Sequence, residues 1–337
     1  MKIAVIGAGA IGSVVAAFLT KVGQDVVLIG KAEQVSPINQ HGLRVFGARG
    51  EERIKVRALT QFDKEYGLVI FTVKTQDLQD AINSNKKLLR DAILLSSQNG
   101  VQADHILKTN FPEENIISSI VMFGSTYIQA GEVVLNFEGD WIVGKPYSPN
   151  DGQVKRVTRQ LSEAFNVVLT DEIIGMKWLK LFINFNNCIP AIIGKSMQET
   201  FADLDLCRLS IHLLKEGVDI IQKAGINLVS LPSFPVDRIY GMVNMPEDQA
   251  AGIIQKTLTS LSKEPLYGSI LQSIMRGRRS EIDYINGEVV RLAGQSNMEA
   301  PLNRKIVDLV HQVEREQKYY SINQIIHEFQ LNTKISW

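Results

Sequence analysis

Three polar residues interrupt an otherwise apolar stretch between Glu172 and Ile189: Lys180, Asn184 and Asn187. Spacings of four and three put them on one face of a helix. Trp178, Leu179, Leu181, Phe182, Ile183, Phe185 and Ile189 cover most of the remaining circumference, the pattern of a buried helix. Burying an ammonium and two amides without partners is costly, so the stripe should face a cleft or a partner. Desolvation lowers a lysine's pKa and suits it to proton transfer near neutral pH. The competing account has Lys180 paired with a structural carboxylate or reaching out to water along its aliphatic stem. The helix pattern by itself does not separate the two.

A second set lies in GSILQSIMRGRRSEIDYING, residues 268–287. Gly277 separates two expected helices. Ser280 reads as an N-cap with Asp283 three residues on, which puts Glu281 in a first helical turn. An acid there either complements the helix dipole or faces a ligand. Arg276, Arg278 and Arg279 read equally well as a solvated charged face. The two cysteines, Cys188 and Cys207, make no metal-binding spacing, and no metal is expected.

The third set is at the N-terminus, MKIAVIGAGAIG. Ile3–Ile6 form a short apolar run of the buried parallel-strand type. Gly7, Ala8, Gly9, Ala10, Ile11 and Gly12 then give G-x-G-x-x-G, and residues 13–19 read as a helix. Gly7 permits the turn, Gly9 lets backbone amides reach a pyrophosphate, and Gly12 lets the helix approach the strand. A second strand, Val26–Ile29, ends in Gly30-Lys31. An NAD site usually carries an acid there, for the ribose 2′-hydroxyl; a lysine without an acid favours the 2′-phosphate of NADP.

These groups need a scaffold. Further strands are expected at 43–46, 54–56, 68–73, 92–96, 116–121 and 167–169, with Val133–Leu135 and Trp141–Val143 as a closing hairpin. Lys74 and Asn99 each follow such a strand, at the edge where open α/β sheets bind ligands. After Thr170 long helical patterns take over, and the helix beginning at Glu172 should stop at Pro190. The expected organisation is an α/β chain with a Rossmann-type doubly wound NADP-binding domain over 1–170 and an all-helical substrate domain over 171–337. The 337 residues are 45% hydrophobic, with 36 basic and 36 acidic side chains. A balanced charge offers no field for nucleic acid or an acidic membrane, and no run of 18 apolar residues marks a membrane span. Cysteine usage points to a reducing, cytoplasmic setting.

With these residues in view, the chain resembles the ketopantoate reductase family, the 2-dehydropantoate 2-reductases. GAGAIG at 7–12, VKTQD at 73–77, QNGV at 98–101, KWLKLFIN at 177–184 and RRSEIDYING at 278–287 carry the resemblance, in order, over nearly the whole length. It implies a Rossmann domain, a helical C-terminal domain similar to that of 6-phosphogluconate dehydrogenase, and reduction of ketopantoate to pantoate with NADPH on the route to coenzyme A. It implies Lys180 and Glu281 as catalytic residues. Asn99, Asn184 and Ser269 fall at substrate-contacting positions. Gly7–Gly12, Lys31, Lys74, Asn99 and Glu281 fall at cofactor positions. The expected partners are a small-molecule 2-oxo acid and, as an option, a second copy of the chain.

Departures fall on the substrate side. Cys188 stands where the family often has asparagine. Gly268-Ser269 replaces a serine pair, Leu266 an asparagine, and Asn136 a histidine. A reductase of a different 2-oxo acid is therefore the main alternative. A non-catalytic NADP-binding regulator is the other, and the presence of both Lys180 and Glu281 argues against it.

Overall fold

The computed structural model describes residues 1–331, so the last six residues of the expected second domain lie outside the described residues. Two compact units divide the chain, Met1–Lys177 and Trp178–Trp337.

The first unit holds β1 (Ile3–Ile6), β2 (Val26–Ile29), β3 (Leu43–Gly47), β4 (Glu52–Ile54), β5 (Arg57–Leu59), β6 (Leu68–Phe71), β7 (Ile93–Ser96), β8 (Ile116–Val121), β9 (Gly124–Gln129), β10 (Glu132–Phe137), β11 (Trp141–Gly144) and β12 (Val167–Leu169). Its helices are α1 (Ala10–Lys21), α2 (Ala32–His41), α3 (Leu78–Asn85), α4 (Gln102–Asn110) and α5 (Gly152–Ser162). Helix α6 (Ile173–Asn184) begins here and runs on into the second unit.

Eight strands form the main sheet in the order β12-β11-β8-β7-β6-β1-β2-β5. Pairing is parallel from β8 to β5, while β11 runs antiparallel to β8 and parallel to β12. β1, β2, β6 and β7 are buried at every position, as strands covered on both faces must be. The chain leaves β1 toward β2 and returns on the other side to β6, so the sheet reverses direction between β1 and β6, where such folds bind ligands.

Two expectations needed correction here. Val133–Leu135 and Trp141–Val143 are not a hairpin: β10 joins β3 and β9 in a separate four-stranded sheet, β4-β3-β10-β9, and β11 joins β8. The turn-like residues between them instead carry the chain past the end of β8, so closely that a Cβ on Gly139 would lie 2.4 Å from the Met122 carbonyl oxygen. The single strand expected at 54–56 is two short strands, β4 and β5, which go to different sheets, with Val56 buried between them.

The described part of the second unit is helical apart from one isolated bridge between Leu231 and Phe234. Its helices are α7 (Cys188–Ile193), α8 (Met197–Phe201), α9 (Leu204–Lys223), α10 (Asp237–Asn244), α11 (Glu247–Thr259), α12 (Ser269–Met275), α13 (Asn286–Gln295), α14 (Pro301–Glu316) and α15 (Ile322–Glu328). The expected helix from Glu172 to Pro190 is in fact three pieces. Helix α6 ends at Asn184, a 3-10 turn covers Phe185–Asn187, and α7 follows. Pro190 stops nothing. It is the third residue of α7, where no intrahelical N–H is needed. Gly194, left-handed at φ 76°, ends that helix.

Candidate active site

The first unit gathers its expected residues along one edge of the main sheet. Gly7 follows β1, Lys31 follows β2, Lys74 follows β6 and Asn99 follows β7, and these are the four adjacent strands around the reversal point. The glycine loop is shaped by close approach. Gly7 has φ +115°, and a Cβ there would lie 2.7 Å from the Val73 nitrogen. A Cβ on Gly12 would lie 1.9 Å from the Gly7 oxygen. Gly9 is the opposite case, with nothing within 4 Å of its Cβ position. It is the N-cap of α1 and has no side chain to cap the first amides of that helix. This is a cradle that a side chain would narrow, and a pyrophosphate fits it.

Three further side chains hold the cradle, and sequence reasoning did not single them out. The Thr72 hydroxyl lies 2.9 Å from both the Ile6 and Gly7 carbonyl oxygens. Gln34 donates to the Ala8 carbonyl oxygen at 2.9 Å and accepts from the Lys31 N–H at 3.1 Å, joining the glycine loop to the turn that carries Lys31. Gln98 donates to the Phe71 and Val73 carbonyl oxygens at 3.1 and 2.9 Å, bracing the chain between β6 and Lys74. Lys31 itself is exposed. Only neutral side chains do this bracing, so no charge or motif marks them in the sequence.

Behind Asn99 lies a buried polar cluster. Asp104, on α4, is 1% exposed and Lys177, on α6, is 2% exposed. The Lys177 ammonium donates to Asp104 Oδ2 at 2.8 Å, and the Ser118 hydroxyl donates to the same oxygen at 2.6 Å. Ser96 donates to Asp104 Oδ1. Ser119 donates to the Ser96 carbonyl oxygen at 2.7 Å and accepts from the Trp141 indole N–H at 2.9 Å. The end of β7, the middle of β8, the start of α4 and the second turn of α6 are thereby tied together.

The second unit contains the polar stripe. Lys180, Asn184 and Asn187 are all half-buried, while Leu179, Leu181, Phe182 and Phe185 are buried beside them. Among the described residues Lys180 makes no hydrogen bond and no ion pair, and burial holds its ammonium below the usual lysine pKa. The structural-carboxylate account of Lys180 therefore lacks its carboxylate. The carboxylate partner belongs to Lys177, one turn earlier. Cys188 is fully buried, its thiol pushed up to about 12 by burial, and Sγ donates to the Phe185 carbonyl oxygen at 2.9 Å. Ser269, the first residue of α12, is exposed.

Glu281 is placed differently from expectation. No α-helix starts at Ser280: residues Ile282–Tyr284 form a single 3-10 turn, and α13 begins only at Asn286. The Ser280 hydroxyl accepts from the Ile282 N–H at 3.3 Å, and Asp283 pairs with His311 instead of completing a capping box. One 3-10 turn sums few peptide dipoles, so the helix-dipole account of Glu281 loses its basis. Glu281 is half-buried, and no ion pair joins it to Lys180.

Comparison with known proteins follows the same division. Residues 3–147 match the family described as ketopantoate reductase PanE/ApbA, and residues 172–314 match its C-terminal counterpart. The chain is 32% identical over 308 residues to 2-dehydropantoate 2-reductase of Pyrococcus horikoshii, covering 90% of this chain and 94% of that one. It is 27% identical to the protein of the same name from Pyrococcus abyssi, over 92% and 97% of the two chains. Among solved structures, it is similar to a PanE/ApbA family ketopantoate reductase from Ralstonia eutropha, with TM-score 0.80, 25% identity and coverage of 94% and 99%. A D-mandelate dehydrogenase solved with NADH and anilino(oxo)acetate shares the fold, with TM-score 0.80 at 24% identity over 94% and 99% of the two chains.

The glycine loop predicts opposite outcomes for two neighbouring substitutions. Gly12→Ala should destabilise the protein by about 1–3 kcal/mol, because the new methyl group forces backbone apart. Gly9→Ala should leave the urea unfolding midpoint unchanged and weaken dinucleotide binding, since its φ of −85° suits any residue and only the cradle is filled. Urea titration and cofactor titration of both variants check this. For the buried cluster, Asp104→Ala should cost about 3–5 kcal/mol by leaving the Lys177 ammonium unpaired. Adding Lys177→Met should recover part of that loss in the same unfolding measurement.

Proposed function

This chain belongs to the ketopantoate reductase family, and we propose on that footing that it reduces 2-dehydropantoate to pantoate with NADPH, as a cytoplasmic enzyme. Members of the family are oxidoreductases acting on CH–OH groups. The observation that carries the reading is Lys180, an ammonium without a partner among the described residues, desolvated and sharing its helix face with two amides. A structural lysine needs a counter-charge. A proton donor to a developing alkoxide needs a depressed pKa and an open approach.

The chemistry supplied by the bound nicotinamide is hydride transfer to the C2 carbonyl carbon of a 2-oxo acid. Lys180 hydrogen-bonds the carbonyl oxygen and gives it a proton as negative charge develops there. Asn184 and Ser269 hold the acid so that this oxygen meets the ammonium. Glu281 accepts from the substrate hydroxyl, and Asn99 takes the position that the resemblance assigns it between nicotinamide and substrate. The amides at the start of α1 would hold the pyrophosphate, and Lys74 stands at the end of the neighbouring strand. Lys31 supplies the positive charge for a 2′-phosphate, with Gln34 fixing its backbone. The second reading, a different 2-oxo acid, is favoured by one observation: Cys188 is sealed in the core, so any polar group on this part of the substrate side comes from another position. NADPH oxidation against a panel of 2-oxo acids decides between the two readings.

Cofactor choice gives a direct test. The unaltered protein should bind NADPH more tightly than NADH, and Lys31→Asp should raise the NADPH dissociation constant roughly 10- to 100-fold by removing a charge-assisted contact. Fluorescence titration with both nucleotides measures it, and tighter binding of NADH by the unaltered protein would refute the assignment.

Lys180 couples rate, stability and pH. Its folded-state pKa is lowered, so in the window between that value and the ordinary lysine value the unfolded chain binds more protons. Stability should therefore rise with pH across that window, and Lys180→Met should abolish the rise and raise the melting temperature at pH 7. The same variant should lose about 10² to 10⁴ in kcat. In the unaltered enzyme, kcat for reduction should fall as pH climbs through the Lys180 pKa, below the usual lysine range. Calorimetry and a pH–rate profile check both signs.

A further inference from the structure

The join between α6 and α7 changes which residue stands beside Asn184. In a continuous α-helix the neighbour one turn on would be shared by residues 187 and 188. Here Phe185–Asn187 is a 3-10 turn, in which side chains three apart eclipse. Asn187 is thereby aligned with Asn184, and residue 188 is rotated inward. Cys188 accordingly is fully buried and donates to the Phe185 carbonyl oxygen.

Asn187 is half-buried, and among the described residues its amide makes no hydrogen bond. It rests against Gly268: a Cβ there would meet Asn187 Oδ1 at 2.6 Å and Cγ at 3.0 Å. Gly268 has φ −65° and ψ 160°, a conformation open to any residue, so its lack of a side chain serves this approach and not a turn. Ser269 is the next residue. The helix face therefore carries an ammonium and two amides, and the hydroxyl of Ser269 belongs to the residue after the glycine that Asn187 touches. All of these groups offer N–H or O–H donors, which suit a carboxylate as well as a carbonyl.

We infer that Asn187, seated on Gly268, is a specificity-determining residue that donates its amide N–H to the carboxylate of the 2-oxo acid. This rests on the functional reading above. A charge-assisted hydrogen bond of this kind should be worth about 10- to 100-fold in substrate affinity.

The test uses the full chain with NADPH and two substrates, a 2-oxo acid that the unaltered enzyme reduces and its 2-oxo carboxamide analogue. Asn187→Ala should raise KM for the acid about 10- to 100-fold, leave kcat within a few-fold, and leave NADPH affinity unchanged. Its preference for the acid over the carboxamide should collapse. Gly268→Ala, which keeps Asn187 but removes its seat, should reproduce the KM effect, and the double variant should be no worse than Asn187→Ala alone. Gly268→Ala also serves if Asn187→Ala fails to fold. An Asn187→Ala enzyme with unchanged KM, or one that loses acid and carboxamide equally, overturns the inference while leaving the reductase reading intact. An unaltered protein that reduces no 2-oxo acid overturns both.

Discussion

The buried pair of Asp104 and Lys177 is the interaction on which the packing of the first unit around β7, β8 and α4 depends. Two charges almost completely removed from water are tolerable only with close geometry and further donors, and here Ser96 and Ser118 supply them. The pair fixes three things at once. It holds the end of β7 to the middle of β8, it anchors the start of α4, and it locks the second turn of α6. Lys180 lies three residues along that same helix. Lys177 and Lys180 thus divide between them the two fates available to a buried lysine. One has a carboxylate and holds structure. The other lacks one and keeps a depressed pKa.

The nucleotide edge of the first unit is governed by sterics more than by charge. Gly7 and Gly12 are glycines because backbone occupies the space a side chain would need, whereas Gly9 is open toward solvent. Thr72, Gln34 and Gln98 then bond carbonyl oxygens of the tight loop and the strand ends, those of Ile6 and Phe71 in addition to the backbone N–H groups they already accept from. Each of these side chains bonds to backbone, so the shape of the cradle is set before any ligand arrives, the condition for binding without a large ordering cost.

Much of this was legible in the residues. Apolar runs that end at a glycine located β1 and β2 to the residue, because strands covered on both faces have few other ways to be composed. The polar stripe was visible because period and cost of burial point the same way. What was not legible depended on tertiary contact. Val133–Leu135 and Trp141–Val143 look like two halves of a hairpin, and only the approach of Gly139 to Met122 shows why they part. Ser280 and Asp283 have the composition of a capping box, but Glu314 accepts from the Ser280 N–H at 2.7 Å and His311 claims Asp283, so the helix starts later. Lys177 was read as part of a motif and not as an ion-pair partner, since Asp104 lies 73 residues away.

The 3-10 turn at Phe185–Asn187 bears on how such chains are compared with one another. Matching proteins residue by residue assumes that equal position means equal direction in space. A tightened turn breaks that assumption locally. It leaves the count of residues unchanged while turning the following side chains by a fraction of a revolution. At this join, position 188 has passed into the core and position 187 has taken its place on the outer face. In this chain the polar side chain on that face is carried at position 187 and not at position 188. Substrate predictions that score that column alone would misjudge any relative in which the same turn is tightened.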